Sequence, residues 1–209
     1  MKYWRIVIVI AIMVIMTACT QSTNEKAYYK IQKKFNTIES YQCIAKIKGS
    51  NGETTREYIF QQTFKSPNLY RLEGISPQII KGNLIIYNGR TAWFRQASIN
   101  QVYKIDNFNQ SQEQIMFIGY FLQNHINSKL PRDQVNWQNS SQDIVLEAII
   151  PGGNPYFAYQ RLWINKKTKK PEKLYIYDER DRVVFKIFYQ AFEYNLQLDD
   201  DIFNLSDLS

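Results

Sequence analysis

Hydrophobic positions fall into three regimes along the 209-residue chain. The first is an unbroken apolar run from Ile6 to Met16. The second has helical spacing: Tyr28, Ile31, Phe35 and Ile38 recur at intervals of three, four and three, behind a Ser22-Thr23-Asn24-Glu25 capping box. This pattern predicts a helix from about Asn24 to Glu39, with Lys26, Lys30, Lys33 and Lys34 on the opposite face. The third regime begins at Tyr41, where the period drops to two and stays there for most of the chain.

The two-residue period predicts strands. Gln42 to Lys48 places Cys43, Ala45 and Ile47 on one face. Asn51-Gly52 is a hairpin turn in which both residues tolerate positive φ. Glu53 to Lys65 alternates through Tyr58, Phe60, Gln62 and Phe64, and Ser66-Pro67-Asn68 breaks it before Leu69 to Glu73. Asn83 to Tyr87, the turn Asn88-Gly89 and Thr91 to Arg95 form a second hairpin, followed by Gln101 to Ile105. A second capping box, Ser111 to Gln114, opens a predicted central helix from Ser111 to Asn124. Gly119 inside that helix weakens it by about 1 kcal/mol relative to alanine, which points to close packing on a neighbour or to a helix that moves. Leu130-Pro131 ends the helical region, and Gln134 to Gln142 reads as a strand-loop passage. Strands follow at Ile144 to Ile150, Ala158 to Asn165 with Tyr159, Arg161 and Trp163 on one face, Glu172 to Tyr177, and Arg182 to Tyr194. The expected fold is mainly β (α+β): about nine to eleven antiparallel strands in one domain, residues 24–209, with an N-terminal and a central helix.

The apolar run at the start changes the compartment. Lys2 and Arg5 precede it, and Met16-Thr17-Ala18-Cys19 follows it. Eleven apolar residues span roughly 16 Å as a helix, about half of a hydrocarbon core. That length suits a signal peptide, residues 1–18, and a small residue before a cysteine resembles a lipobox. Cys19 is therefore the expected lipidation site, with residues 19–23 as a tether. Two acyl chains at Cys19 would give stable membrane anchoring. The competing reading is an uncleaved anchor with a chance cysteine.

Charge narrows the partners. Lys and Arg number 26 and Asp and Glu 19, and without Lys2 and Arg5 the balance is 24 against 19. This excess favours anionic surfaces and is too dispersed for nucleic acid. Lys166, Lys167, Lys169 and Lys170 are either a basic contact for lipid or wall polymer, or a solvated hairpin tip. Candidate chemistry is sparse. One histidine, His125, and one other thiol, Cys43, do not make a zinc site, so no metal or cofactor is expected. His125 is expected to cap carbonyls at its helix end. No serine nucleophile motif is present, and the Pro151 to Pro155 loop lacks the lysine of a phosphate-binding loop. The carboxylates at Asp178, Glu179 and Asp181, and at Asp199 to Asp201, fall in turns or the tail, where solvation is the ordinary state. No enzymatic activity is expected.

Three segments carry a resemblance. Phe64 to Glu73 places a proline before a strand with an aromatic-arginine pair, Ile85 to Trp93 forms an apolar strand, an Asn-Gly turn and an aromatic strand, and Leu162 to Asn165 with Pro171 to Leu174 forms a late hairpin. Together they resemble the LolA/LolB-like lipoprotein-carrier fold, an incomplete antiparallel β-barrel with helices packed on its concave side. Tyr41 to Ala45, Phe117 to Phe121 and Pro151 to Asn154 further resemble the clostridial germination lipoprotein GerS family. That resemblance implies a sporulation lipoprotein that binds and activates a CwlD-like cortex-modifying amidase. It also implies homodimers by element swapping in some members. In carriers of this fold the arginine matching Arg71 holds the helical lid, so Arg71 is the expected lid anchor. Three readings follow: an anchored interaction module, a carrier or sensor of apolar ligands, and a hydrolase, the last made improbable by its missing groups.

Overall fold

A computed structural model describes residues 26–49, 56–108, 112–127, 137–140 and 142–205. The expected signal peptide, Cys19, the expected tether, the start of the predicted N-terminal helix, the predicted Asn51-Gly52 turn and Leu130-Pro131 lie outside the described residues. Eleven strands form one antiparallel sheet: β1 (Ser40–Gly49), β2 (Glu57–Lys65), β3 (Leu69–Ser76), β4 (Leu84–Tyr87), β5 (Ala92–Gln96), β6 (Gln101–Ile105), β7 (Trp137–Asn139), β8 (Asp143–Ile149), β9 (Tyr159–Asn165), β10 (Pro171–Tyr177) and β11 (Val183–Tyr194). Their spatial order is β6-β5-β4-β3-β2-β1-β11-β10-β9-β8-β7, so the first and last strands pair at the centre and the sheet stays open. This is the mainly β incomplete barrel that the alternation and the resemblance predict, at the upper end of the expected strand count.

The two faces of the sheet are set by residue parity. On the inner face, Cys43, Ala45 and Ile47 of β1, Tyr70 and Leu72 of β3, Leu162 and Ile164 of β9, and Ile187 and Tyr189 of β11 are buried in one core. Helix α1 (26–35) adds Ile31 and Phe35 to that core, and α2 (Ile118–Asn127) adds Ile118 and Phe121. The N-terminal helix stops four residues short of its expected end. Thr37 and Ile38 are β-branched and lose side-chain freedom in a helix. A turn closed by Asn36 N–H to the Gln32 carbonyl and Ile38 N–H to the Phe35 carbonyl leads instead into β1.

The outer face carries a second, smaller core. Leu84, Ile86 and Trp93 pack there against Phe203 and Leu205 of the C-terminal segment. The β4 sequence Leu84-Ile85-Ile86-Tyr87 thus has no polar face because both of its faces are covered. Phe203 sits in a 3-10 turn, Asp200–Phe203, capped by the Asp199 carboxylate.

Candidate functional site: the inner face and its helical lid

Instead of one continuous helix from Ser111, the central segment has a 3-10 stretch, Gln112–Met116, a break at Phe117, and then α2. The sheet causes the break by taking the backbone groups that an uninterrupted helix would use itself. Tyr41 Oη accepts the Ile118 N–H at 2.9 Å. Tyr189 Oη donates to the Met116 carbonyl at 2.9 Å, and Gln62 Nε2 reaches the same oxygen at 3.3 Å. Gln160 Nε2 donates to the Ile115 carbonyl. Four polar side chains from β1, β2, β9 and β11 therefore seize one turn of backbone. Gln62 and Gln160 are fully buried, and burial pushes the Tyr41 and Tyr189 hydroxyls well above the ordinary phenol range, so both are neutral donors or acceptors at any physiological pH.

Below this anchor the interior is filled with rings. Tyr41 stacks between Phe64 and Phe192, with centroids 5.3 Å and 4.9 Å away. Tyr70 lies 4.8 Å from Phe117 and 5.3 Å from Tyr87. Gly119 has no side chain because Phe64 occupies its place: a Cβ there would fall 2.1 Å from the Phe64 ring. Close packing is thus the reason for the glycine. A groove of about 710 Å³ stays open between α1 and α2, lined by Tyr28, Phe35, Pro67, Leu122, His125 and Ile126 among others.

Arg71 does not take the expected anchoring role. Tyr70 and Leu72 point inward, so Arg71 between them points outward, where its guanidinium pairs with Glu73 at 3.1 Å. A one-residue step along a strand reverses the face, and no side-chain length recovers it. The outward side chain lines a cleft between the sheet and the C-terminal segment, beside Gln61, Arg95 and Asp201. The lid is held by Tyr41, Gln62, Gln160 and Tyr189 instead. A signal for two of them was present in the sequence: a glutamine on the buried parity of a strand, between Phe60 and Phe64 or ahead of Leu162 and Ile164, needs an internal partner.

His125 also differs in detail. It sits in the last turn of α2, yet its Nδ1 lies 2.7 Å from the Glu147 carbonyl of β8, not from its own helix. A carbonyl only accepts, so Nδ1 carries the proton. The ring stacks on Phe121 at 5.8 Å, and burial lowers its pKa below the usual value of 6.5. Below pH 6.5 the unfolded chain therefore binds a proton that the folded chain resists, and stability should fall as pH drops through that window. His125→Gln should flatten the slope between about pH 7 and pH 5; an unchanged slope in urea-unfolding midpoints would refute this role for the ring. Cys43 is buried, with its thiol pushed above the ordinary range. Among the described residues no group of three His, Cys, Asp or Glu is placed to hold a metal ion, and no helix is long and apolar enough to cross a membrane.

An open antiparallel sheet with one face lidded by helices and packed with rings is the class of fold that the LolA-like resemblance implies. Comparison with known proteins makes the assignment specific: the chain belongs to the YdcC-like sporulation protein family, whose model matches residues 1–203. It is 22% identical over 191 residues to sporulation protein YdcC of Bacillus subtilis (strain 168), covering 91% of this chain and 56% of that protein. The chain thus spans little more than half the length of that relative. A chain in the structure of the CwlD amidase from Clostridioides difficile in complex with the GerS lipoprotein is 30% identical, with a TM-score of 0.51 over 82% of this chain and 95% of that one. An uncharacterized conserved protein from Thermus thermophilus shares the fold at 16% identity and a TM-score of 0.50, covering 89% of this chain and 96% of its own. The GerS-like resemblance drawn from the sequence therefore holds.

Proposed function

We propose that this chain is a sporulation lipoprotein, anchored outside the cytosol through Cys19, that binds and activates a cortex-modifying N-acetylmuramoyl-L-alanine amidase of the CwlD type. The observation that carries this reading is the 30% identity, over most of both chains, to a component of the amidase–lipoprotein complex. The interior supports it. Rings and a pinned lid fill much of the interior that a carrier would keep free, which favours the surface of the domain as its means of action. The chain acts without catalysis of its own: its one histidine is buried, lowered in pKa and bound to a carbonyl. The amidase supplies the chemistry, and the modified cortex is then open to degradation at germination.

Co-expression tests the reading. The tagged chain should co-purify with the amidase of its own host and raise that enzyme's activity on cortex peptidoglycan. Absence of both co-purification and activation would overturn it. A carrier of apolar ligands is the second reading, favoured by the groove between α1 and α2. Mass spectrometry showing stoichiometric co-purifying lipid in that groove would turn the assignment toward it.

A further inference from the structure

From two lysine-rich segments that both contact Tyr194, we infer that α1 and the β9–β10 turn form a single cationic surface that docks on anionic lipid headgroups. The exposed residues of α1 include Lys26, Tyr29, Lys30 and Lys33, at spacings of three, one and three, which puts them on one side of the helix. Tyr29 is 63% exposed. Residues 26–35 contain no acidic side chain, and among the described residues no carboxylate lies within ion-pair distance of Lys26, Lys30 or Lys33.

Tyr194 brings the second segment alongside. Its ring lies beneath the Lys34 ammonium, 5.0 Å from ring centroid to Nζ, and its hydroxyl donates to the Lys169 carbonyl at 2.8 Å. The turn that holds Lys169 is closed by a side chain: Asn165 Oδ1 accepts the backbone N–H groups of Lys167 and Thr168. Lys167 and Lys170 are exposed on it. The nearest carboxylate in sequence, Glu172, is engaged by the Asn165 side-chain amide at 2.8 Å. Two segments separated by more than a hundred residues thus meet at Tyr194.

Charge complementarity and chain length name the occupant. Six residues separate Cys19 from Lys26, and an extended chain of that size reaches at most about 25 Å. An anchor at Cys19 therefore keeps α1 close to the bilayer, where each lysine near an anionic surface gains attraction that falls off within a Debye length of about 10 Å. A tyrosine among lysines suits the headgroup level, with its ring inward and its hydroxyl wet. The lipid contact rests on the proposed anchor for its proximity alone and draws its specificity from the lysines.

The test uses the full chain carrying Tyr29→Cys with a polarity-sensitive fluorophore, reconstituted in vesicles of phosphatidylcholine with or without phosphatidylglycerol. Cys43 is buried and does not compete for label. Blue-shifted emission that requires phosphatidylglycerol and disappears in Lys26→Gln/Lys30→Gln/Lys33→Gln is the expected result, as is its partial loss in Lys167→Gln/Lys170→Gln. Each neutralised lysine should weaken docking by up to about fivefold. Emission indifferent to lipid charge would overturn the inference, as would equal binding to soluble polyphosphate, which marks a general polyanion surface. Failure of the anchor reads out separately: Cys19 would then take label in the Tyr29 parent, and the chain would leave pure phosphatidylcholine vesicles.

Discussion

Gly119→Val should lower the stability of the domain by about 3 kcal/mol, at the upper end of the range for overpacking a well-filled core. The Cβ alone would lie 2.1 Å from Phe64, whose ring stacks on Tyr41 and is nearly excluded from solvent. Retreat toward Tyr41 is blocked, because Tyr41 is itself backed by Phe192. Valine is the better helix former, so the cost comes from packing and not from propensity. A double-mutant cycle separates the two. Phe64→Ala alone should cost about 3–5 kcal/mol, yet the pair should cost less than the sum of the single changes, with a coupling of about 1–3 kcal/mol. Additive midpoints in urea would mean that Phe64 is not the group that excludes a side chain at position 119.

The hydroxyl of Tyr41 is the other position of large effect. Tyr41→Phe keeps the ring stack and removes the acceptor for Ile118 N–H, leaving a buried donor without a partner. Such a loss costs about 1–3 kcal/mol. Because the defect lies under the lid, it should appear locally before it appears globally. Amide hydrogen exchange over 112–121 should accelerate more than exchange in β9 and β10, and protease should cut the central segment earlier. Arg71→Leu is the contrasting variant: with its guanidinium on the outer face, it should leave exchange in this segment unchanged. Faster exchange in Arg71→Leu, or none in Tyr41→Phe, would return the anchor to Arg71.

The sheet was legible because its signal is simple. Half-buried strands need alternation, and β6 and β9 begin within a residue of their expected starts. The chain breaks at Ser66-Pro67 and Asn88-Gly89 also lie where turn chemistry puts them, the latter with Gly89 at φ +90° and the Asn88 side chain closing the turn. The lid was legible as a helix but not as a broken one. Periodicity reports which side chains are apolar, and it is blind to Tyr41, Gln62, Gln160 and Tyr189 competing for backbone groups far away along the chain. Arg71 shows the opposite error. Its family role was carried over by resemblance, while its parity on β3, opposite to Tyr70 and Leu72, was readable from the strand itself. The joining of the α1 lysines to the turn at 166–170 needed Tyr194, which no local pattern links to either.

The strand order has a consequence for how the protein is made. β1 is an early strand, yet one of its two neighbours is β11, the last. A polypeptide that emerges amino end first therefore presents a ten-residue strand with one unpaired side throughout the synthesis of everything that follows. Only arrival of Val183–Tyr194 closes that seam. A chain truncated before residue 183 would be left with two half-sheets and no shared centre, an aggregation-prone fragment instead of a smaller working domain.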